Sequence, residues 1–193
     1  MMSRRVVVAA SLFALAASAA VYPWLPAQVP VHFDLAGRAD GWASRPFGAF
    51  LLPAIGLAMI ALTYVRRRGV GVVLAVSAIF LAALDVLVLR AALGDATLGG
   101  AIWILAGAFL VAIGLFLPRV RPNRWVGVRT PWTARSPEVW ARTQRVGGYA
   151  MLACGLLVML SAGDQGPFGM ALRGVAVIAA ALVPTIYSWR IAS

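Results

Sequence analysis

The chain has 193 residues, 62% of them hydrophobic and 12% charged, with a mean hydropathy of +0.89. That charged share is about half of what soluble domains carry, which excludes both a soluble globular protein and a disordered one. All 17 basic residues are arginine, and against six acidic residues they give a net charge of +11. Cys154 is the single cysteine and His32 the single histidine. An intrachain disulfide, a thiolate cage and a multi-histidine metal site are therefore excluded as well.

A bilayer core of roughly 30 Å needs about 20 apolar residues per helix. Six segments meet that length: about Val6–Trp24, Phe47–Val65, Val70–Leu89, Leu98–Leu117, Val146–Ala162 and Phe168–Tyr187. Each must be helical, because lipid offers no partners to an open backbone. The expected fold is an all-α polytopic membrane protein, six transmembrane helices arranged as three antiparallel hairpins. Arg4-Arg5, an apolar run and Ala17-Ser18-Ala19 resemble a cleavable leader. The run continues through Tyr22 to Trp24, so a retained first span is expected.

Arginine counts in short loops orient the chain. Thirteen arginines and Glu138 fall on one side: Arg4 and Arg5, Arg66 to Arg68, the seven from Arg119 to Arg145, and Arg190. The other side holds Arg38, Arg45, Arg90 and Arg173 against Asp34, Asp40, Asp95 and Asp164. Both termini are thus expected in the cytoplasm of a bacterial cell, with the chain in the inner membrane. The basic stripe reads as a topology signal, and no direct nucleic-acid contact is expected. Gly94-Asp95-Ala96-Thr97 and Gly163-Asp164-Gln165-Gly166-Pro167 are turn compositions on the outer side. Gly107, Gly114, Gly147, Gly148 and Gly155 are expected to permit close helix packing.

The outer loop at 25–46 is patterned. Pro26 and Pro30 hold it extended. Val31, Phe33 and Leu35 alternate with His32 and Asp34, which predicts a short strand-like piece. Gly37 and Gly41 flank a turn at Arg38-Ala39-Asp40, and Trp42 suits the headgroup layer. His32 and Asp34 would share one face about 7 Å apart along an extended segment. With Asp40 folded back, His32, Asp34 and Asp40 form a weak metal or proton-relay candidate. The plainer reading has His32 and Asp40 bonding the loop backbone and fixing its turn.

The inner loop at 118–146 interleaves seven arginines with three tryptophans, counting Arg119 to Arg145 and Trp125, Trp132 and Trp140. Ser136-Pro137-Glu138 predicts a helix start running into the fifth span: a serine cap, proline at the first position and a carboxylate at the positive end. Guanidinium beside indole suits a headgroup interface. An acidic protein partner is the alternative use of the same charge.

The stretch from Arg121 to Gly148 resembles the signature of the SdpI family of bacterial membrane immunity proteins. The core is Asn123, Gly127, Arg129, Thr130, Pro131, Trp132 and Thr133, followed by Val139-Trp140, Arg142, Thr143 and Arg145. Gln144 stands where the family usually has histidine. Pro30-Val31-His32-Phe33 with Gly37 to Gly41 resembles an uncharacterised hairpin domain that often precedes this region. The resemblance divides the chain into an N-terminal two-helix hairpin at 1–68 and a four-helix region at 69–193. It implies an immunity and signalling protein that confers resistance to a secreted antimicrobial peptide and sequesters a cytoplasmic transcriptional repressor. The toxin peptide would act on the outer side, the repressor on the inner side, with membrane lipids around both and no cofactor.

Asp85 is the one acid inside a span, about 22 Å from the inner edge at 1.5 Å per residue. Arg173 enters the sixth span from the outer side to a similar depth. Ionisable groups at such depth pair or mark a pathway, so Asp85 and Arg173 are expected to pair. A proton-coupled or small-solute transporter using Asp85 is the alternative function. A metal-dependent membrane enzyme centred on His32 is the second, although no nucleophile-elbow serine or second histidine supports it.

Overall fold

The computed structural model describes residues 2–64, 70–94 and 96–192. Arg66 to Arg68 and Asp95, which the sequence places in turns, lie outside the described residues. Among the described residues are six long helices: α1 (Met2–Val21), α2 (Arg45–Tyr64), α3 (Val70–Leu93), α4 (Ala101–Phe116), α6 (Pro137–Leu160) and α7 (Pro167–Arg190). By length and composition all six are candidate membrane spans. A one-turn helix, α5 (Pro131–Arg135), precedes α6. Two compact units divide the chain, residues 1–66 with 74–105, and 67–73 with 106–193. The first therefore takes in most of α3, beyond the boundary expected at residue 68.

In the first unit α1 packs against α2. One cluster of buried side chains joins Val7, Met59, Ala75 and Ala78. A second joins Leu25, Val29, Ala49, Val88 and Leu89. Small residues bring the chains close: a methyl on Gly48 would lie 2.5 Å from Val29 Cβ. The all-α expectation needs correction here. The loop after α1 folds as an antiparallel hairpin of β1 (Gln28–Phe33) and β2 (Ala39–Ser44). The expected alternation of Val31, Phe33 and Leu35 also fails. Register shifts either side of His32 interrupt the pairing, and such a bulge breaks the two-residue period. Val29 and Pro30 are the buried pair, whereas Val31 and Leu35 are exposed.

In the second unit α6 packs against α7, and α4 lies on α6 through glycines. A methyl on Gly155 would come within 2.7 Å of the Gly107 carbonyl oxygen. One on Gly114 would come within 2.8 Å of the Gly148 carbonyl oxygen. The small residues thus set the approach of the two helices, as expected. The predicted helix start is present: the Ser136 hydroxyl accepts from the Val139 N–H at 3.3 Å, and Glu138 pairs with Arg142 at 2.6 Å. From there α6 runs unbroken to Leu160, so the fifth span begins nine residues before Val146 as part of one helix.

Candidate functional site

The stretch 120–136 has little regular structure, yet its side chains fix it at both ends and in the middle. Asn123 acts as a hub. Its Oδ1 accepts from the N–H groups of Trp125 (2.7 Å) and Val126 (2.8 Å). Its Nδ2 donates to the carbonyls of Arg121 (2.8 Å) and Val126 (3.0 Å). All of the amide's hydrogen-bonding groups are thus spent on the turn, which is what places asparagine at position 123. The indole N–H of buried Trp140 donates to the Val120 carbonyl at 2.8 Å, tying the loop entry to α6.

Gln144 clasps the middle. It is fully buried. Its Nε2 donates to the Val128 carbonyl at 3.0 Å, and its Oε1 accepts from the Val128 N–H at 2.8 Å. The backbone reaches this clasp through Gly127, whose φ of +119° favours glycine. A side chain there would also meet Gln144 Oε1 at 2.8 Å and the Trp140 ring at 3.0 Å. The far end is held by a reciprocal cap. Thr130 Oγ1 accepts from the Thr133 N–H at 3.2 Å, and Thr133 Oγ1 accepts from the Thr130 N–H at 2.9 Å. Pro131 supplies the first residue of α5, a position where its missing N–H costs nothing. Thr130 Oγ1 also lies 3.0 Å from the hydroxyl of buried Ser188 near the end of α7.

These bonds leave a cleft of about 750 Å³ lined by Asn123, Arg124, Arg129, Thr130 and Trp140 among others. Arg124 and Arg129 are exposed. Arg145 is exposed on α6 and Trp132 half-buried on α5. Arg142 is engaged with Glu138. The loop is therefore a shaped cationic surface. Sequence reasoning named Asn123, Gly127, Thr130, Thr133 and Trp140 but not what they bond, and it missed Gln144 and Ser188 as builders. A lone amide facing inward from a helix that enters a membrane span was the available signal for Gln144.

At the other patterned loop the expected three-residue cluster is not assembled. His32 Nδ1 lies 2.5 Å from Asp40 Oδ1 across the hairpin, both side chains being largely exposed. Asp34 faces the turn instead. Its carboxylate accepts from the N–H groups of Ala36 (2.8 Å) and Arg38 (2.9 Å) and from Arg38 Nε (3.1 Å). The Arg38 backbone N–H is the main cause that holds the Asp34 carboxyl below its ordinary value; desolvation opposes it, and the Arg38 side chain and the Ala36 N–H add to the lowering. Among the described residues no group of three or more His, Cys, Asp and Glu side chains could hold a metal ion. The bulge at His32 and the Asp34 turn send the two side chains to different tasks. His32 and Asp40 bond each other, not the loop backbone.

The hairpin tip is anchored to the segment before α4. Leu98 N–H donates to the Gly37 carbonyl at 2.8 Å, Ala39 N–H to the Ala96 carbonyl at 3.0 Å, and Thr97 Oγ1 to the Gly37 carbonyl at 3.0 Å. Gly37 takes φ +77°, and a methyl there would lie 2.9 Å from the Gly99 carbonyl oxygen. Gly41 packs on His32, where a methyl would lie 2.8 Å from the His32 Cβ. Trp42 is exposed on β2. Under the hairpin lies an apolar cavity of about 240 Å³ lined by His32, Phe33, Leu52, Leu84, Val88 and Ile102 among others.

Asp85 of the first unit is fully buried and accepts from the Ser18 hydroxyl at 3.0 Å. Arg173 of the second unit is buried and donates to the carbonyls of Ser161 (2.6 Å) and Asp164 (2.9 Å). Each thus has bonds inside its own unit.

Six candidate spans with a folded arginine–tryptophan loop between the fourth and fifth define a multi-pass helical membrane protein. Residues 119–188 match the model of the SdpI/YfhL protein family, and residues 9–57 match a domain of unknown function, DUF1648. The chain therefore carries an SdpI/YfhL family domain in its C-terminal half behind a DUF1648 domain. It is similar to the immunity protein SdpI of Bacillus subtilis (strain 168), at 23% identity over 178 residues, covering 88% of this chain and 86% of that one. No solved structure matches.

Proposed function

We propose that the chain is a membrane immunity protein that protects a bacterium from a membrane-active peptide and signals through its arginine loop. The observation that carries this is the loop's construction. A positive-inside tether needs only charge. Here Asn123, Gln144, Thr130, Thr133 and Trp140 instead spend their polar groups on holding one backbone shape. That shape presents Arg124 and Arg129 around a cleft, as recognition of an acidic protein segment requires. Similarity to an immunity protein over most of both chains supports the same reading.

In this scheme the loop faces the cytoplasm and the β1–β2 hairpin faces outward. The apolar cavity under the hairpin takes an apolar side chain of the attacking peptide. The arginine cleft holds an acidic surface of a cytoplasmic repressor. The test is survival. A sensitive bacterium expressing the chain is challenged with a panel of membrane-active peptides beside an empty-vector control. Selective protection against one peptide is expected; equal killing across the panel with the protein present in the membrane overturns the proposal.

A further inference from the structure

Arg129 lines two cavities. One is the polar cleft it shares with Arg124. The other is an apolar groove of about 520 Å³, walled by Phe109 and Ile113 of α4, Met151 of α6 and Ala181 of α7, with Trp125 and Arg129 at its loop end. Its walls belong to candidate membrane spans, whose surrounding solvent in a bilayer is hydrocarbon. A cationic end and an apolar trough meeting at one side chain are complementary to an amphiphile that is anionic at one end. We propose that the groove seats one acyl chain of an anionic phospholipid whose phosphate is bound by Arg129.

The local construction favours this occupant. The Gln144 clasp on Val128 fixes the backbone immediately before Arg129, so the guanidinium springs from a set position. The acid nearest in sequence, Glu138, is taken by Arg142. Trp125 at the groove mouth is an indole at the polar boundary, a common place for tryptophan at a membrane interface. Seating a lipid here would also press on the segment that shapes the arginine cleft.

The full chain, purified in detergent, is examined by native mass spectrometry with dioleoyl phosphatidylglycerol, with dioleoyl phosphatidylcholine at the same concentration, and with inorganic phosphate as competitor. One phosphatidylglycerol retained in preference to phosphatidylcholine, and not displaced by millimolar phosphate, is expected. Arg129→Gln should weaken retention at least about tenfold, the effect of losing a charge-assisted bond. Ala181→Phe, at an exposed groove position, should weaken it by filling the trough, and unchanged thermal melting will show that both variants fold. Equal retention of the two lipids, or variants that retain phosphatidylglycerol like the parent, overturns the proposal. So does displacement by phosphate, which would make the site a bare anion cleft.

Discussion

Replacing Gln144 by leucine tests the construction of the arginine loop most sharply. Leucine fills nearly the same volume, so the change removes two hydrogen bonds to Val128 without opening a large cavity. Each bond contributes about 1 kcal/mol net, and a buried backbone group left unpaired costs about 1–3 kcal/mol. Val128 is half-buried, so water meets part of that loss, and a total of about 2–4 kcal/mol is expected. The loss falls on local opening of 120–130, because the spans keep their own contacts. At about 1.4 kcal/mol per tenfold, the open population rises roughly thirty- to several-hundred-fold. Trypsin cleaves after arginine, so initial cleavage rates after Arg124 and Arg129 in detergent read this population directly. Gln144→His should fall between parent and leucine, since an imidazole holds its donor and acceptor on opposite edges and can meet only one of the two Val128 groups. Cleavage of Gln144→Leu within about twofold of the parent would refute the reasoning.

Other outcomes follow from the same geometry. Gly114→Val should separate α4 from α6, because its Cβ would lie 2.8 Å from a backbone oxygen that cannot swing away; a stability loss of about 1–3 kcal/mol is expected in a detergent denaturation series. The Asp34 carboxyl is lowered in the folded state, so its contribution to the hairpin tip is present above its unfolded pKa and is lost as pH falls through the folded one. Hydrogen exchange at Ala36 and Arg38 should therefore quicken only in acid below the ordinary carboxylate range, and Asp34→Asn should abolish that dependence. Ser18→Ala removes the hydroxyl that serves buried Asp85 and should cost about 1–3 kcal/mol in thermal melting. Asp85→Asn still accepts from Ser18 and should protect cells like the parent, whereas a transport mechanism through Asp85 would lose flux and protection together.

The spans were legible because about 20 apolar residues per crossing is a demand on composition alone. Ser136-Pro137-Glu138 was legible because a cap is a local pattern. The second strand was not. Asp40-Gly41-Trp42-Ala43-Ser44 carries an acid, a glycine and no apolar alternation, all against a strand by propensity; its partner β1 decides it. Thr97 and Leu98 read as the end of a plain turn, yet they bond the hairpin tip at Gly37, 60 residues earlier in the case of Thr97. The same limit applied at Gln144, whose partner lies 16 residues away. Motif residues of the arginine loop were found as a string, but their bonds to Val120, Val128 and Ser188 depend on a tertiary arrangement that spacing does not encode.

The central claim is that the folded arginine loop carries the protective function. The direct measurement uses the peptide found in the survival panel and compares the parent with Arg129→Ala and Trp132→Ala at matched membrane abundance. Arg129 is exposed at the cleft and Trp132 half-buried on the one-turn helix α5, so both residues lie outside the six long helices. A clear loss of protection in both variants, with intact abundance and melting, is predicted. Protection equal to the parent in both would contradict the account.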